Sequence, residues 1–281
     1  MAKDDSFLAA CVQMRSGINR SRNVADACAL IAEAAGIGAT FIATPEMTNV
    51  IDRKADRMFE TLPEESGLEE IKAFSAAALK HRIWLLIGSM AVKIGDRRAA
   101  NRGFLFAPDG KIAARYDKLH MFDVELPNGE SWKESNVYKP GEGAVLIETP
   151  FAKIGLSICY DVRFPALYRR LAQAGAQMLC VPAAFTRQTG EAHWKTLLTA
   201  RAIENGAFVL APAQGGTHED GRETYGHSLI IGPWGEILAE APADEPGLVF
   251  APINIAAVRE VRSRIPNLAL EQSCKVTIVS P

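Results

Sequence analysis

Short apolar runs alternate with amphipathic stretches from one end of the chain to the other. Residues 7–14 and 40–44 are apolar runs of strand length, and the second stops at Pro45. Between them, 21–35 sets Val24, Cys28, Ile31, Ala32 and Ala35 on one helical face and closes at Gly36. Residues 68–81 repeat that pattern with Ile71, Phe74, Ala78 and Leu79, and 83–92 follows as a buried strand. Strands over 103–107 and 111–116 flank Pro108-Asp109-Gly110, where Pro presets φ and Gly admits a positive one. Residues 145–149 and 153–159 predict a second strand pair. The spacing then predicts a helix over 165–174 closed by Gly175, a strand over 177–181, a helix over 191–205 and a strand over 208–211. A late hairpin, 228–231 with 236–240, turns on Gly232-Pro233-Trp234-Gly235, before a strand over 248–255 and a helix over 256–263.

Strands alternating with helices, with hairpins between, indicate mixed α/β layers. No linker, low-complexity segment or sequence repeat interrupts the pattern, so the expectation is one domain over 1–281, with helices covering sheets in an α-β-β-α sandwich. Periodicity alone also allows a single doubly wound sheet. With 281 residues, such a chain buries enough surface to fold without disulfide or metal staples.

Charge and cysteine usage narrow the function classes. Formal net charge is −2, with no basic run, so nucleic acid is not an expected partner. The five cysteines, Cys11, Cys28, Cys159, Cys180 and Cys274, show no C-x-x-C spacing, which fits a reducing compartment. The polar start is unlike a signal peptide, and no apolar run reaches membrane-spanning length, so the expectation is a cytoplasmic protein without membrane contact.

Three residues share a local context. Glu46 follows the run 40–45, Lys118 follows 113–117 and Cys159 follows 153–158, each just past a strand end. Carboxyl ends of strands are where open α/β sheets place ligand sites. A thiol is mostly unreactive at neutral pH without a base or a positive neighbour, and Glu46 and Lys118 are one of each. Taken singly, each has an ordinary explanation: a packed cysteine, a solvated turn glutamate, a surface lysine paired with Asp117. His120, His193 and His227 are alternative partners for a Cys–His pair, and none shows zinc-ligand spacing.

Taken together, Thr44-Pro-Glu-Met47, Arg115-Tyr-Asp-Lys-Leu-His120 and Gly155-Leu-Ser-Ile-Cys-Tyr-Asp-Val-Arg-Phe-Pro165 resemble the nitrilase superfamily of carbon–nitrogen hydrolases, in the family's order and across nearly the whole chain. The resemblance implies an α-β-β-α sandwich, no cofactor or metal, and a homodimer or higher homo-oligomer. It implies that Glu46 is the general base, Lys118 the oxyanion stabiliser and Cys159 the nucleophile, with Glu134 orienting Lys118. Tyr160 after the cysteine, in place of Trp or an acid, resembles the Nit branch of small-molecule amidases. That branch includes omega-amidases and deaminated glutathione amidase, the second favoured by 120–126, 190–194, 213–218, 225–228 and 233–235. Glu191 departs from the small residue or Pro usual at its place. The amide N–H of Tyr160 is a second oxyanion donor, Arg163 is the candidate ligand of a substrate carboxylate, and Phe185 is a further candidate contact. Substrate discrimination is expected in 127–131. The alternatives are 2-oxoglutaramate-type or N-carbamoyl substrates, a non-catalytic interaction subunit, and a redox-sensing thiol protein.

Overall fold

A computed structural model describes residues 6–127, 129–242 and 244–280. Two six-stranded sheets form the centre. The first runs Gly247–Asn254, Ser6–Gln13, Phe41–Ala43, Trp84–Gly95, Arg98–Phe106, Ile112–Asp117. The second runs Ile237–Glu240, Leu229–Ile231, Phe208–Ala211, Met178–Cys180, Lys153–Leu156, Val145–Glu148. Helices α1 (Arg20–Gly36), α2 (Ala55–Thr61) and α3 (Glu69–His81) belong to the first half of the chain. Helices α4 (Pro165–Gln173), α5 (Arg187–Asn205) and α6 (Ala256–Arg264) belong to the second. The expected sandwich is present, and the single-sheet alternative is not.

The strand pattern explains the layering. In 9–12, Ala9 and Cys11 face the core shared with the second sheet, while Ala10 and Val12 pack under α1 and α3. Phe41 and Ala43 alternate with Ile42 in the same way, and Leu86 with Leu85 and Ile87. A strand buried on both faces needs apolar residues at every position, and this is why these segments read as continuous runs. Asn19 caps α1, its side chain accepting the N–H of Arg22, and the αL residue Arg82 ends α3.

The sheets repeat one topology that the sequence hides. Ser6–Gln13, Phe41–Ala43 and Trp84–Gly95 are parallel neighbours, joined through α1 and then through α2 and α3. Lys153–Leu156, Met178–Cys180 and Phe208–Ala211 are likewise parallel, joined through α4 and α5. Each triplet carries one antiparallel strand outside its first member and two beyond its third. Only the hydrogen-bonding order repeats, because any apolar residue of suitable size satisfies a doubly buried strand.

The middle strands of both halves end in proline, at Thr44-Pro45 and Val181-Pro182, and these ends meet over Gly88. A Cβ there would lie 2.2 Å from Thr44 O, 2.3 Å from Pro182 Cβ and 2.6 Å from Pro45 O. Those atoms are backbone or proline ring and cannot swing away. Two hairpins and α2 were not anticipated: Asp123–Glu125 with Ser131–Lys133, and Gly215–Thr217 with Glu223–Tyr225. Their strands are three residues long, too short to show a period. Helix α5 begins at Arg187, four residues before the expected start, with Gly190 inside it against the Tyr225 ring.

Gly88→Ala is expected to destabilise the fold by about 1–3 kcal/mol through overpacking, seen as a thermal midpoint several degrees lower. An unchanged midpoint in thermal unfolding contradicts this account of the strand ends.

Candidate active site

Glu46, Lys118, Glu134 and Cys159 line one cavity of about 310 Å³. Each reaches it from a separate element. Glu46 lies just past Phe41–Ala43, Lys118 follows Ile112–Asp117, Glu134 opens a short 3-10 turn and Cys159 opens another after Lys153–Leu156. Glu46 is fixed from all sides. Its Oε2 accepts the Ala184 N–H at 2.8 Å, its Oε1 accepts Asn101 Nδ2 at 2.8 Å and Lys118 Nζ at 2.9 Å, and its carbonyl accepts Gln214 Nε2 at 3.0 Å. Lys118 Nζ also donates to both oxygens of Glu134, at 3.0 and 2.8 Å. The Phe122 N–H holds Glu134 Oε2 at 2.7 Å. Asn101 bridges the carboxylates, reaching Glu134 Oε1 at 3.2 Å, and its carbonyl accepts the Lys118 N–H at 3.0 Å.

Cys159 adopts the left-handed region, with φ at 51°, which a non-glycine residue occupies only when its surroundings impose it. Here the Cys159 N–H donates to Pro182 O at 2.8 Å. Beneath it, the wholly buried Asp161 carboxylate accepts the Ile158 N–H (2.9 Å), the Tyr116 hydroxyl (2.7 Å), the His120 N–H (3.0 Å) and His120 Nδ1 (2.7 Å). Asp161 therefore ties the strand that delivers Lys118 to the turn that presents the thiol.

Opposed effects set the charges. Burial by itself would raise the Glu46 carboxyl, but the Lys118 charge and hydrogen bonds from Cys159, Lys118 and Asn101 outweigh it and hold it below the usual range. Burial would lower Lys118, yet Glu134, Glu46 and Cys159 hold its ammonium well above the usual lysine range. Burial first, then the Glu46 charge, push the Cys159 thiol well up, against the lowering effect of Lys118. At neutral pH the group is thus a thiol beside a carboxylate, with one ammonium between two carboxylates. Moving the thiol proton to Glu46 leaves the net charge of the group unchanged.

Tyr160 and Phe185 also line the cavity, but Arg163 does not. Its guanidinium stands 5.8 Å from the Tyr160 ring centre and 5.3 Å from that of Phe185, with Nη2 3.3 Å from His193 Nδ1. It braces two cavity walls from behind and forms no ion pair with Asp161. None of the three alternative histidines lines the cavity either: His120 stacks on Phe164, His193 meets Arg163, and His227 Nδ1 lies 3.5 Å from Glu240. Sequence reasoning missed Asn101, Trp132 and Arg222. A polar residue inside the apolar strand Arg98–Phe106 was the available signal for Asn101, but the expected strand began at Gly103. Of the 127–131 segment, Glu130 and Ser131 line the cavity and Asn128 lies outside the described residues. Among the described residues no His/Cys/Asp/Glu cluster could hold a metal ion, and no helix is long and apolar enough to cross a membrane.

The pattern of the carbon-nitrogen hydrolase family matches residues 8–263, and the chain belongs to that family. It is accordingly a hydrolase acting on carbon–nitrogen bonds of amides. It is 41% identical over 266 residues to a deaminated glutathione amidase of Synechocystis sp., covering 93% of this chain and 97% of that one. It is 34% identical over 261 residues to the omega-amidase NIT2 of Homo sapiens, covering 93% of each. Among solved structures, the C. elegans NitFhit protein superposes with a TM-score of 0.87 at 35% identity, over 95% of this chain and 65% of that longer one. Saccharomyces cerevisiae Nit3 superposes at 0.83 with 26% identity, over 93% and 94%.

Lys118→Met would leave the buried Glu46 carboxylate and the partly buried Glu134 without their counter-charge, at a cost of about 3–5 kcal/mol at neutral pH. Because the fold holds the Glu46 carboxyl low, its stabilisation is present above the unfolded carboxylate range and is lost as pH falls through the folded value. The variant's carboxylates instead take up protons as pH falls, so the gap between variant and wild type narrows toward about pH 4. Denaturant unfolding at both pH values checks this, and a pH-independent gap contradicts it.

Proposed function

We propose that the protein is a thiol amidase in which Cys159 attacks the amide carbonyl, Glu46 moves the protons, Lys118 holds the developing oxyanion and Glu134 positions Lys118. The observation that carries this reading is the convergence of an anionic carboxylate, a buried ammonium and a thiol on one cavity. Glu46 takes the Cys159 proton as the thiolate bonds to the carbonyl carbon. Lys118 Nζ and the Tyr160 N–H stabilise the tetrahedral oxyanion, a contribution of about 3–4 kcal/mol per donor in comparable chemistry. As the C–N bond breaks, Glu46 returns the proton to the leaving amine, and a thioester remains. Glu46 then takes a proton from water, whose oxygen attacks the thioester, and the thiol leaves protonated. Splitting the reaction at a covalent intermediate replaces one high barrier by two lower ones.

For the substrate, the reading is deaminated glutathione, supported by the relatives so named and by the cationic side chains among the cavity residues. Omega-amides of 2-oxo acids are the second reading, supported by the human omega-amidase likeness. Tyr160 and Phe185 form substrate contacts, and Arg163 supports both rings. The family resemblance further supports one domain over 1–281, a homodimer or higher oligomer, and a cytoplasmic location.

Comparing kcat/KM for deaminated glutathione, 2-oxoglutaramate and N-carbamoyl amino acids tests the substrate. A preference for the first of about 100-fold, or about 2.7 kcal/mol, is expected, and no turnover of it overturns the reading. Rapid-quench mass spectrometry is expected to show an acyl adduct on wild type and none on Cys159→Ala. Glu46 held below and the thiol and ammonium held above their usual ranges give kcat/KM a plateau from about pH 5 to about pH 9. An inflection of kcat/KM inside that window contradicts those assignments.

A further inference from the structure

The cavity holds a second cationic position that the mechanism does not use. Four cations line it, Arg53, Lys118, Lys133 and Arg222, with four acids, Glu46, Asp52, Glu130 and Glu134. Glu46 and Glu134 are both committed to Lys118. Asp52 accepts Nε and Nη2 of Arg57, which lies outside the cavity lining, and Glu130 pairs with Arg53 at 3.1 Å. Lys133 lies exposed at the surface.

Arg222 remains. Asp220 Oδ2, 3.7 Å from its Nη2, is within ion-pair range but beyond hydrogen-bond reach, so the guanidinium keeps its hydrogen-bonding fork. Its Nε is buried and has no hydrogen-bond partner, and the same holds for Asp220 Oδ2 and for Nε1 of the cavity residue Trp132. The Arg222 and Arg53 guanidiniums lie 4.6 and 4.8 Å from the Trp132 ring centre.

This position is built into the fold. Arg222 ends the tight turn between Gly215–Thr217 and Glu223–Tyr225, where its carbonyl accepts the His218 N–H at 2.8 Å and its N–H donates to Asp220 Oδ1 at 2.9 Å. Buried His218 locks the turn to the body, through Nδ1 to Ser16 O at 2.8 Å and Nε2 to Thr224 Oγ1 at 2.6 Å. A planar guanidinium that lines the cavity on a locked turn, set over the Trp132 ring, is preorganised for a planar anion.

We propose that Arg222, with Trp132 beside it, forms a carboxylate-binding subsite of the catalytic cavity, separate from Arg163. The inference rests on the amidase reading of that cavity and adds to it the residue that selects anionic substrates. An amide with carboxylates on both sides of the scissile bond then meets Lys118 at its centre and Arg222 at one acid group.

Calorimetric binding of glutarate to Cys159→Ala, with glutaramide as the uncharged control, tests the subsite without requiring turnover. Adding Arg222→Gln is expected to weaken glutarate binding at least 10-fold and leave glutaramide unchanged, with Arg222→Lys in between. Equal weakening of both ligands marks a structural role, and unchanged or undetectable glutarate binding removes the subsite; each overturns the proposal. In active enzyme, Arg222→Gln is expected to raise KM for deaminated glutathione and hardly alter kcat. If wild type binds glutarate through Arg222 yet does not hydrolyse deaminated glutathione, the subsite stands and the substrate reading falls.

Discussion

A single ammonium buried between two carboxylates governs the rest of this centre. Lys118 is 2% exposed, and Glu46 and Glu134 flank it within 3.0 Å. An unpaired buried charge is costly enough that the group would neutralise instead. Two carboxylates side by side would likewise force one to hold a proton. Together the three groups are stable as ions, which leaves Glu46 as a base poised beside a thiol that stays protonated. A base and a nucleophile coexist here without exchanging their proton until a substrate carbonyl arrives.

The fold exists, in functional terms, to bring separate strand ends to that ammonium. Each half of the chain supplies the same parallel triplet, and the proline-ended middle strands meet over Gly88 with no room for a side chain. Ala184, beyond one proline, donates its N–H to Glu46, beyond the other. Asp161 then fixes the third approach by binding the Lys118 strand and the Cys159 turn at once. The left-handed backbone of Cys159 is sustained by these contacts, as expected of strain held at a reactive residue.

Much of this was legible from residues alone, for a physical reason. Doubly buried strands must be apolar throughout, so their ends stand out, and the strand-end positions of Glu46 and Cys159 follow directly; Lys118 ends a half-exposed edge strand, Ile112–Asp117, legible from the Pro108-Asp109-Gly110 turn before it. Family resemblance added Glu134, which sits on a loop with no periodic signal. What stayed hidden was of two kinds. Asn101 and Asp161 act through hydrogen bonds between segments distant in sequence, and such partners leave no local pattern. Trp132 and Arg222 sit on hairpins whose strands are three residues long, too brief for alternation to show. The Arg163 expectation met the opposite difficulty: the residue is beside the nucleophile in sequence, yet its side chain turns behind Tyr160 and Phe185. The repeated topology was invisible because hydrogen-bond order, unlike apolar character, is not written in residue identity.

The role of Glu46 turns on the resting protonation state of Cys159, and thiolate absorbance near 240 nm reads it directly. Wild type minus Cys159→Ala, titrated from about pH 5 to about pH 9, is predicted to show no thiolate signal at any point, because burial and Glu46 hold the thiol protonated. A difference band already present at neutral pH would mean a resting thiolate paired with Lys118, and would contradict the assignment of Glu46 as the base that removes its proton.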